Sequence, residues 1–310
     1  YNTCYGSDLD GNPSYWSTTY LTPTLSKYSQ VVTFSGHLHF PINDNRSIMQ
    51  GAFTSLGCGS VRYMAIEAGG YENMAGATTM NDRYEISSGL LVQVDENGNV
   101  KVTKMFFSEN TSFEEPWTIA HPDAEGTHLK KYSRETREAA NKAPTLGNVK
   151  IDPRENTKTG VKTYLTFDAA IDDEFAHHYE IEIKHITAGK VINKKILSDF
   201  YHHAKRSDMK KSYELFLGNL KDGKYKVTLT AYDSWGAASD TFVYEWESTK
   251  GEVTVKKAAL YADFDFSGGT VKDALGRIEV TNMGATVENA TVIHGGKAYT
   301  ADALKASEDK

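Results

Sequence analysis

A mainly β protein with some α, organised in more than one domain, is the fold class this sequence predicts, and three observations carry it. Short apolar runs rich in Val, Ile, Thr, Tyr and Phe recur along most of the chain, bounded by Gly, Asn, Asp and Pro. Several of them alternate cleanly, as in Tyr179-Glu-Ile-Glu-Ile-Lys184 and Lys224-Tyr-Lys-Val-Thr-Leu-Thr-Ala231. Period-two alternation is the mark of a strand with one face in a core and the other in water. Finally, 310 residues exceed the usual size of one small domain.

The elements divide into four segments. Residues 1–120 read as strand and loop with one short helix. Thr24 to Tyr28 precedes Gln30-Val-Val-Thr-Phe34, a buried strand by its β-branched content, and Phe53 to Leu56 is another. Ile86 to Val94 and Val100 to Phe107 flank Asp95-Glu-Asn-Gly-Asn99, and Asn-Gly between apolar runs is a strong hairpin signal. Residues 121–143 turn charged and polar and read as a linker, with helical turns around Glu138-Ala-Ala140. In residues 144–249 the runs Val161–Ile171, Tyr179–Ile186, Val191–Phe200, Ser212–Leu217, Tyr225–Tyr232 and Thr241–Trp246 follow one another at sandwich-like intervals. Residues 250–310 hold strand-like runs and glycine turns but few large apolar residues, and the segment is short for an independent domain.

Composition removes some function classes. The formal charge is −7 and the basic residues are scattered rather than striped, which argues against a nucleic-acid partner. No apolar run reaches the roughly 20 residues of a membrane span. The two cysteines, Cys4 and Cys58, are too few for a disulfide scaffold or a four-cysteine zinc site. They pair if the protein is exported, or remain buried thiols. The chain opens Tyr-Asn-Thr-Cys with neither an initiator Met nor the regions of a signal peptide, and is expected to be a piece of a longer polypeptide.

The strongest chemical signal is Ser35-Gly36-His37-Leu38-His39, directly after the strand Val31 to Phe34. Two histidines at alternate positions beyond a strand end are placed to aim both imidazoles into one cavity, and Gly36 is expected to make the sharp backbone turn. Imidazole is the commonest transition-metal ligand. With Phe40-Pro41, Asn45-Arg-Ser-Ile48, Gln50-Gly51 and Phe53-Thr-Ser-Leu-Gly57, the segment resembles the last metal-ligand motif of the calcineurin-like metallophosphoesterases, an apolar strand ending in Gly-His-any-His. The resemblance covers residues 1–120 and includes the closing hairpin from Gly89. It implies the C-terminal sheet portion of an α/β metallophosphoesterase sandwich. It further implies His37 and His39 as metal ligands, Gly36 as support of the motif, and two divalent ions (Mn, Fe, Zn or Mg) that activate a bridging hydroxide against a phosphoester.

The family's other ligand motifs, Asp-any-His, Gly-Asp, Gly-Asn-His and an isolated histidine, lie upstream of this one. None of the residues before His37 is a histidine, and Gly11-Asn12 is followed by Pro13. The catalytic set is therefore incomplete, and the chain is expected to be inactive as it stands. Arg46 is a possible bidentate phosphate contact or a solvated loop arginine; Asp10, Asn12 and Asp44 share those flanking loops. Tyr5, Tyr15, Trp16 and Tyr20 line a cleft entrance or pack in the core. His177-His178 and His202-His203 read as structural histidines near strand ends in preference to metal ligands, and His121, His128 and His294 receive no role.

Gly218 to Gly236 resembles the last strands of an immunoglobulin-like or fibronectin type III-like sandwich, with Tyr225 as its corner tyrosine. Leu260-Tyr-Ala-Asp-Phe-Asp-Phe-Ser-Gly-Gly269 and Val271 to Gly276 resemble the start of a laminin G or concanavalin-like jelly roll, which makes carbohydrate a possible partner. Such appendages imply an extracytoplasmic setting: periplasmic, cell-surface or secreted, and bacterial. The functional expectation is thus a fragment of a metal-dependent phosphoesterase, a hydrolase of phosphomono- or diesters. The alternative is a non-catalytic extracellular protein whose β domains bind carbohydrate or protein.

Overall fold

Alternating runs become strands in the computed structural model, which describes residues 21–37, 39–64 and 84–249, with backbone alone at 68–69, 72–73, 83, 264–265, 272–273, 286–294 and 297–305. The described structure is mainly β, built from several sheets of which none closes on itself. After a one-turn helix α1 (Thr22–Leu25) come β1 (Val32–Ser35), β2 (Ile48–Gln50) and β3 (Thr54–Gly57). They form one sheet in the order β1-β3-β2. β1 runs parallel to β3, from Val32 opposite Thr54 to Ser35 opposite Gly57, and β2 is antiparallel to β3.

The short pair β4 (Ala68–Gly69) and β5 (Glu72–Asn73) is antiparallel. β6 (Ser88–Val94) and β7 (Val100–Phe106) form the expected hairpin, with β8 (Thr111–Ser112) and β9 (Trp117–Ile119) also pairing with β7. In its loop the Asp95 carboxylate accepts the N–H groups of Asn97 and Asn99 at 2.9 and 2.8 Å. Gly98 takes φ +79°, and a Cβ there would lie 2.2 Å from Nδ1 of His121. Glycine is required both for conformation and for space.

The segment expected as a linker binds both of its neighbours. Gln50 and Tyr132 exchange hydrogen bonds: the Gln50 N–H donates to the Tyr132 carbonyl (3.0 Å), and the Tyr132 N–H to Gln50 Oε1 (2.8 Å). His128 Nε2 lies 3.1 Å from the Ser29 carbonyl, so this buried histidine is structural. Helix α2 (Arg134–Ala140) begins at Ser133, whose hydroxyl accepts the Thr136 N–H as an N-cap. Arg137 donates to the Asn45 carbonyl and lies over Trp235, while Asn141 donates to Asp233 at 2.7 Å.

Two further sheets follow. β10 (Val149–Thr157), β11 (Gly160–Asp168) and β14 (Ser212–Leu220) form one. β12 (Ala176–His185), β13 (Lys190–Leu197), β15 (Gly223–Asp233) and β16 (Phe242–Ser248) form the other, in the order β13-β12-β15-β16. All their pairings are antiparallel. One core joins the two sheets, with Leu165, Phe167, Tyr213 and Leu215 from the first and Tyr179, Ile181, Val227 and Leu229 from the second. The Tyr225 hydroxyl donates to the Lys221 carbonyl at 3.0 Å.

A second core contains Ile42, Ile48, Leu56, Val102, Phe106 and Trp117, and it continues into Phe175, Leu197, Phe200, Tyr201 and Ala204. The first 120 residues therefore share buried apolar surface with the sheets that follow them. Residues 252–310 form a separate compact unit. In it β17 (Phe264–Asp265) pairs with β18 (Lys272–Asp273), and β19 (Thr286–His294) with β20 (Lys297–Lys305). Most of Leu260–Gly269 and Val271–Gly276 lies outside the described residues. So do Cys4, Tyr5, Asp10, Asn12, Tyr15, Trp16 and Tyr20. Among the described residues no helix is long and apolar enough to cross a membrane.

Candidate functional site

β1 and β3 end side by side because they are parallel and in register, and the Cys58 N–H extends the pairing by donating to the Ser35 carbonyl at 2.8 Å. The loop beyond β1 carries His37 and His39; the loop beyond β3 carries Cys58, Gly59, Ser60 and Tyr63. The carboxyl ends of parallel strands are where open α/β sheets place their ligands, since both loops leave the sheet on the same side.

The two imidazoles sit near one another, ring centroids 6.5 Å apart and nearly perpendicular. The His39 ring packs on Tyr63 at 4.2 Å, and Tyr63 packs on Tyr84 at 5.6 Å. His37 is exposed and His39 half-buried. Nδ1 of His39 is buried and has no hydrogen-bond partner among the described residues.

The sharp turn expected at Gly36 falls on the histidines instead. Gly36 keeps an ordinary φ and has open space where a Cβ would stand. His37 takes φ +77° and His39 φ +60°. Left-handed conformations are sparse for residues with a Cβ, cost on the order of 1 kcal/mol or more, and gather at functional sites. Two of them fall within three residues, at the rings that lie 6.5 Å apart.

Arg46 belongs to a different arrangement. The single turn Asn45–Ser47 begins at Asp44, which accepts the Arg46 N–H at 2.9 Å. The Arg46 side chain then folds back on the same carboxylate, Nε to Oδ1 at 3.0 Å and one terminal nitrogen to Oδ2 at 2.6 Å. Arg46 is 2% exposed and Asp44 0%. The guanidinium fork expected for a phosphate or for solvent is thus filled by Asp44 and lies inside the protein. Ser234, from the loop after β15, donates to Asp44 Oδ2 at 3.2 Å and ties this pair to the second set of sheets.

His177, His178, His185 and His203 have aromatic or acidic neighbours. His177 is buried with its Nδ1 3.0 Å from that of His178, which stacks on Tyr232. His203 Nε2 is 2.7 Å from Asp199, and that carboxylate also receives the Lys210 N–H. His185 stacks on Tyr225 at 4.3 Å. Cys58 is half-buried, and burial raises its thiol pKa, which favours the unreactive protonated form.

Lys104 was missed by motif reading although the strand pattern marks it. In β7 the core-facing positions are Val100, Val102, Lys104 and Phe106, and Lys104 is 4% exposed. A lysine in the inward register of an alternating strand is the signal. Among the described residues no group of three or more His, Cys, Asp and Glu side chains is placed to hold a metal ion. No family model matches the chain, and no curated protein matches its sequence.

Proposed function

We propose that residues 1–120 are the C-terminal part of a calcineurin-like metallophosphoesterase and that His37 and His39 are two ligands of its divalent-metal centre. The reaction of the complete site is hydrolysis of a phosphomono- or diester. One observation carries this reading: two imidazoles at the carboxyl end of a parallel strand, 6.5 Å apart on left-handed backbone, one with a buried nitrogen that no described residue satisfies. The donor chemistry fits. Neutral imidazole suits Zn, Mn and Fe, and a buried ring nitrogen is costly without a partner, which a metal ion would supply. When bound, such ions polarise a phosphoryl oxygen and lower the pKa of bound water. His37 and His39 would hold metal, and Tyr63 would restrain the His39 ring through the contact it makes now.

Two imidazoles fall well short of the four to six donors that each divalent ion takes. The chain as it stands is therefore expected to bind a divalent ion weakly and to turn over no phosphoester. In the same reading, the two sheets of residues 144–249 are an immunoglobulin-like brace, supported by the Tyr225 hydroxyl bonding backbone four residues upstream. Residues 250–310 begin a laminin G-like domain of an extracytoplasmic protein, with carbohydrate as its partner.

Isothermal titration of the EDTA-stripped chain with Zn(II) tests the centre. His39→Gln is expected to weaken binding at least about tenfold, or about 1.4 kcal/mol, and a parallel assay with Mn(II) and an aryl phosphate is expected to show no turnover. Equal affinity in the two proteins, or robust turnover, refutes the assignment.

A further inference from the structure

Lys104 opens a second site, in a cleft lined by residues from both parts of the larger unit. Asn43, Phe113 and Glu114 come to it from the first 120 positions, and Phe200, His203 and Arg206 from residues 144–249. The cleft is small and partly open to solvent.

Two polar groups of opposite kinds stand in this lining. The Lys104 ammonium lies 5.0 Å over the Trp117 ring and forms neither a hydrogen bond nor an ion pair among the described residues. Lys104 is 4% exposed, so most of the hydration of this cation is removed, which is costly. The second group is an acceptor. Nδ2 of Asn43 donates to the Phe200 carbonyl, which can only accept, so the amide orientation is determined and Oδ1 is the atom left over. That Oδ1 is buried with no donor facing it.

Arg206 adds a second positive charge at the rim. One of its terminal nitrogens donates to the Asp173 carbonyl at 3.2 Å, and its charge acts unfavourably on Lys104. Among the described residues Glu114 is the only carboxylate in the lining, and its Oε2 accepts the Arg206 backbone N–H at 3.4 Å. Burial first, and Arg206 second, lower the Lys104 pKa to about 8, while Glu115, Glu174 and Asp44 oppose the shift without pairing to the amine.

We propose that this cleft binds a small oxyanion carrying a proton, of the hydrogen-phosphate type, with an anionic oxygen on Lys104 and Arg206 and its hydroxyl donating to Oδ1 of Asn43. An anion neutralises the buried ammonium, and only a protonated one also satisfies the amide oxygen. Sulfate is matched in shape and carries no proton at neutral pH, so it meets the first demand and leaves Oδ1 facing a second acceptor. A site that hydrogen-bonds a ligand hydroxyl rejects the analogue lacking it by leaving a buried group unpaired.

The test is thermal denaturation and calorimetric titration of the full chain in EDTA, at pH 7 and constant ionic strength. Sodium phosphate is compared with sodium sulfate and sodium chloride. Phosphate is expected to raise Tm saturably and to bind at least tenfold more tightly than sulfate. Lys104→Met is expected to abolish the phosphate response, and Lys101→Met, on the exposed face of the same strand, to retain it. Should Lys104→Met fail to fold, Arg206→Gln serves in its place, with a severalfold loss of affinity expected. Equal responses to the three salts, or phosphate binding unchanged in Lys104→Met or Arg206→Gln, overturn the proposal and leave a cleft that holds water. EDTA and the Lys104 dependence separate this outcome from anything at His37 and His39.

Discussion

Replacing Asp44 with Asn keeps the volume of the side chain and removes its charge, which makes it a sharp test of how the two parts of the larger unit hold together. Asp44 is 0% exposed and accepts from the Arg46 backbone N–H, two nitrogens of the Arg46 side chain and the Ser234 hydroxyl. The substitution leaves a guanidinium that is 2% exposed without its counter-charge. Breaking a buried pair from one side costs about 3–5 kcal/mol, because the surviving ion loses its counter-charge where water does not replace it. The loss extends further, since Asp44 is one of the carboxylates whose field favours the Lys104 ammonium. Urea denaturation followed by tryptophan fluorescence is expected to show a drop of that size, or on the order of 10 °C in Tm. The double replacement Asp44→Leu with Arg46→Met is expected to recover most of it, because removing both ions removes the desolvation cost. Residues 21–249 should unfold in one transition, as one core contains both Leu56 and Phe200. A drop under about 1 kcal/mol, or two separate transitions, would refute the reasoning.

Two smaller perturbations test other parts of the fold. Tyr225→Phe removes the hydroxyl that donates to the Lys221 carbonyl and leaves the ring stacked on His185 and Trp246. It is expected to cost about 1 kcal/mol in chemical denaturation; no change would mean that the corner bond is incidental. Burial first, then the fields of Asp233 and Asp173, raise the Asp172 pKa to about 6 from 3.8. The folded state therefore holds this proton more tightly than the unfolded state, so the stability it brings is full below about pH 4 and is lost as pH rises through 6. After discounting for partial exposure the effect is on the order of 1 kcal/mol. Asp172→Asn is expected to flatten that part of a stability–pH profile, and an unchanged slope assigns it to other groups.

Much of the β architecture was legible because alternation records which face of a strand is buried. Tyr179, Ile181 and Ile183 point into the core exactly as period two requires, as do Tyr225, Val227 and Leu229. β10 escaped because Pro153 argues against a strand. The structure accommodates it at the sheet edge beside a register shift between Pro153 and Glu155, where a ladder donor can be spared. β2 and β9, at three residues each, are too short for periodicity to declare itself. The linker composition of residues 121–143 concealed the Gln50–Tyr132 exchange, since a polar surface pattern does not tell which backbone groups meet 82 residues away in sequence.

The site residues divide along the same physical line. His37 and His39 were singled out by their spacing and by the family resemblance, yet the left-handed backbone they adopt has no signature in a Gly-His-Leu-His string, and the obvious residue for a turn, Gly36, does not make it. Arg46 looked like a loop cation because four polar or charged residues surround it in sequence. Its partner Asp44 is in turn bonded by Ser234, 190 residues from Asp44 in sequence. Lys104 is the opposite case: its burial could be read from the two valines before it and the phenylalanine after it, all at even spacing. A charged residue in the inward register is a local conflict between pattern and chemistry, and such conflicts persist where something other than packing maintains them. The histidine pair and the inward-facing Lys104 lie at different places among the described residues, and the two proposals made for them differ in sign, a cation for the imidazoles and an anion for the amine.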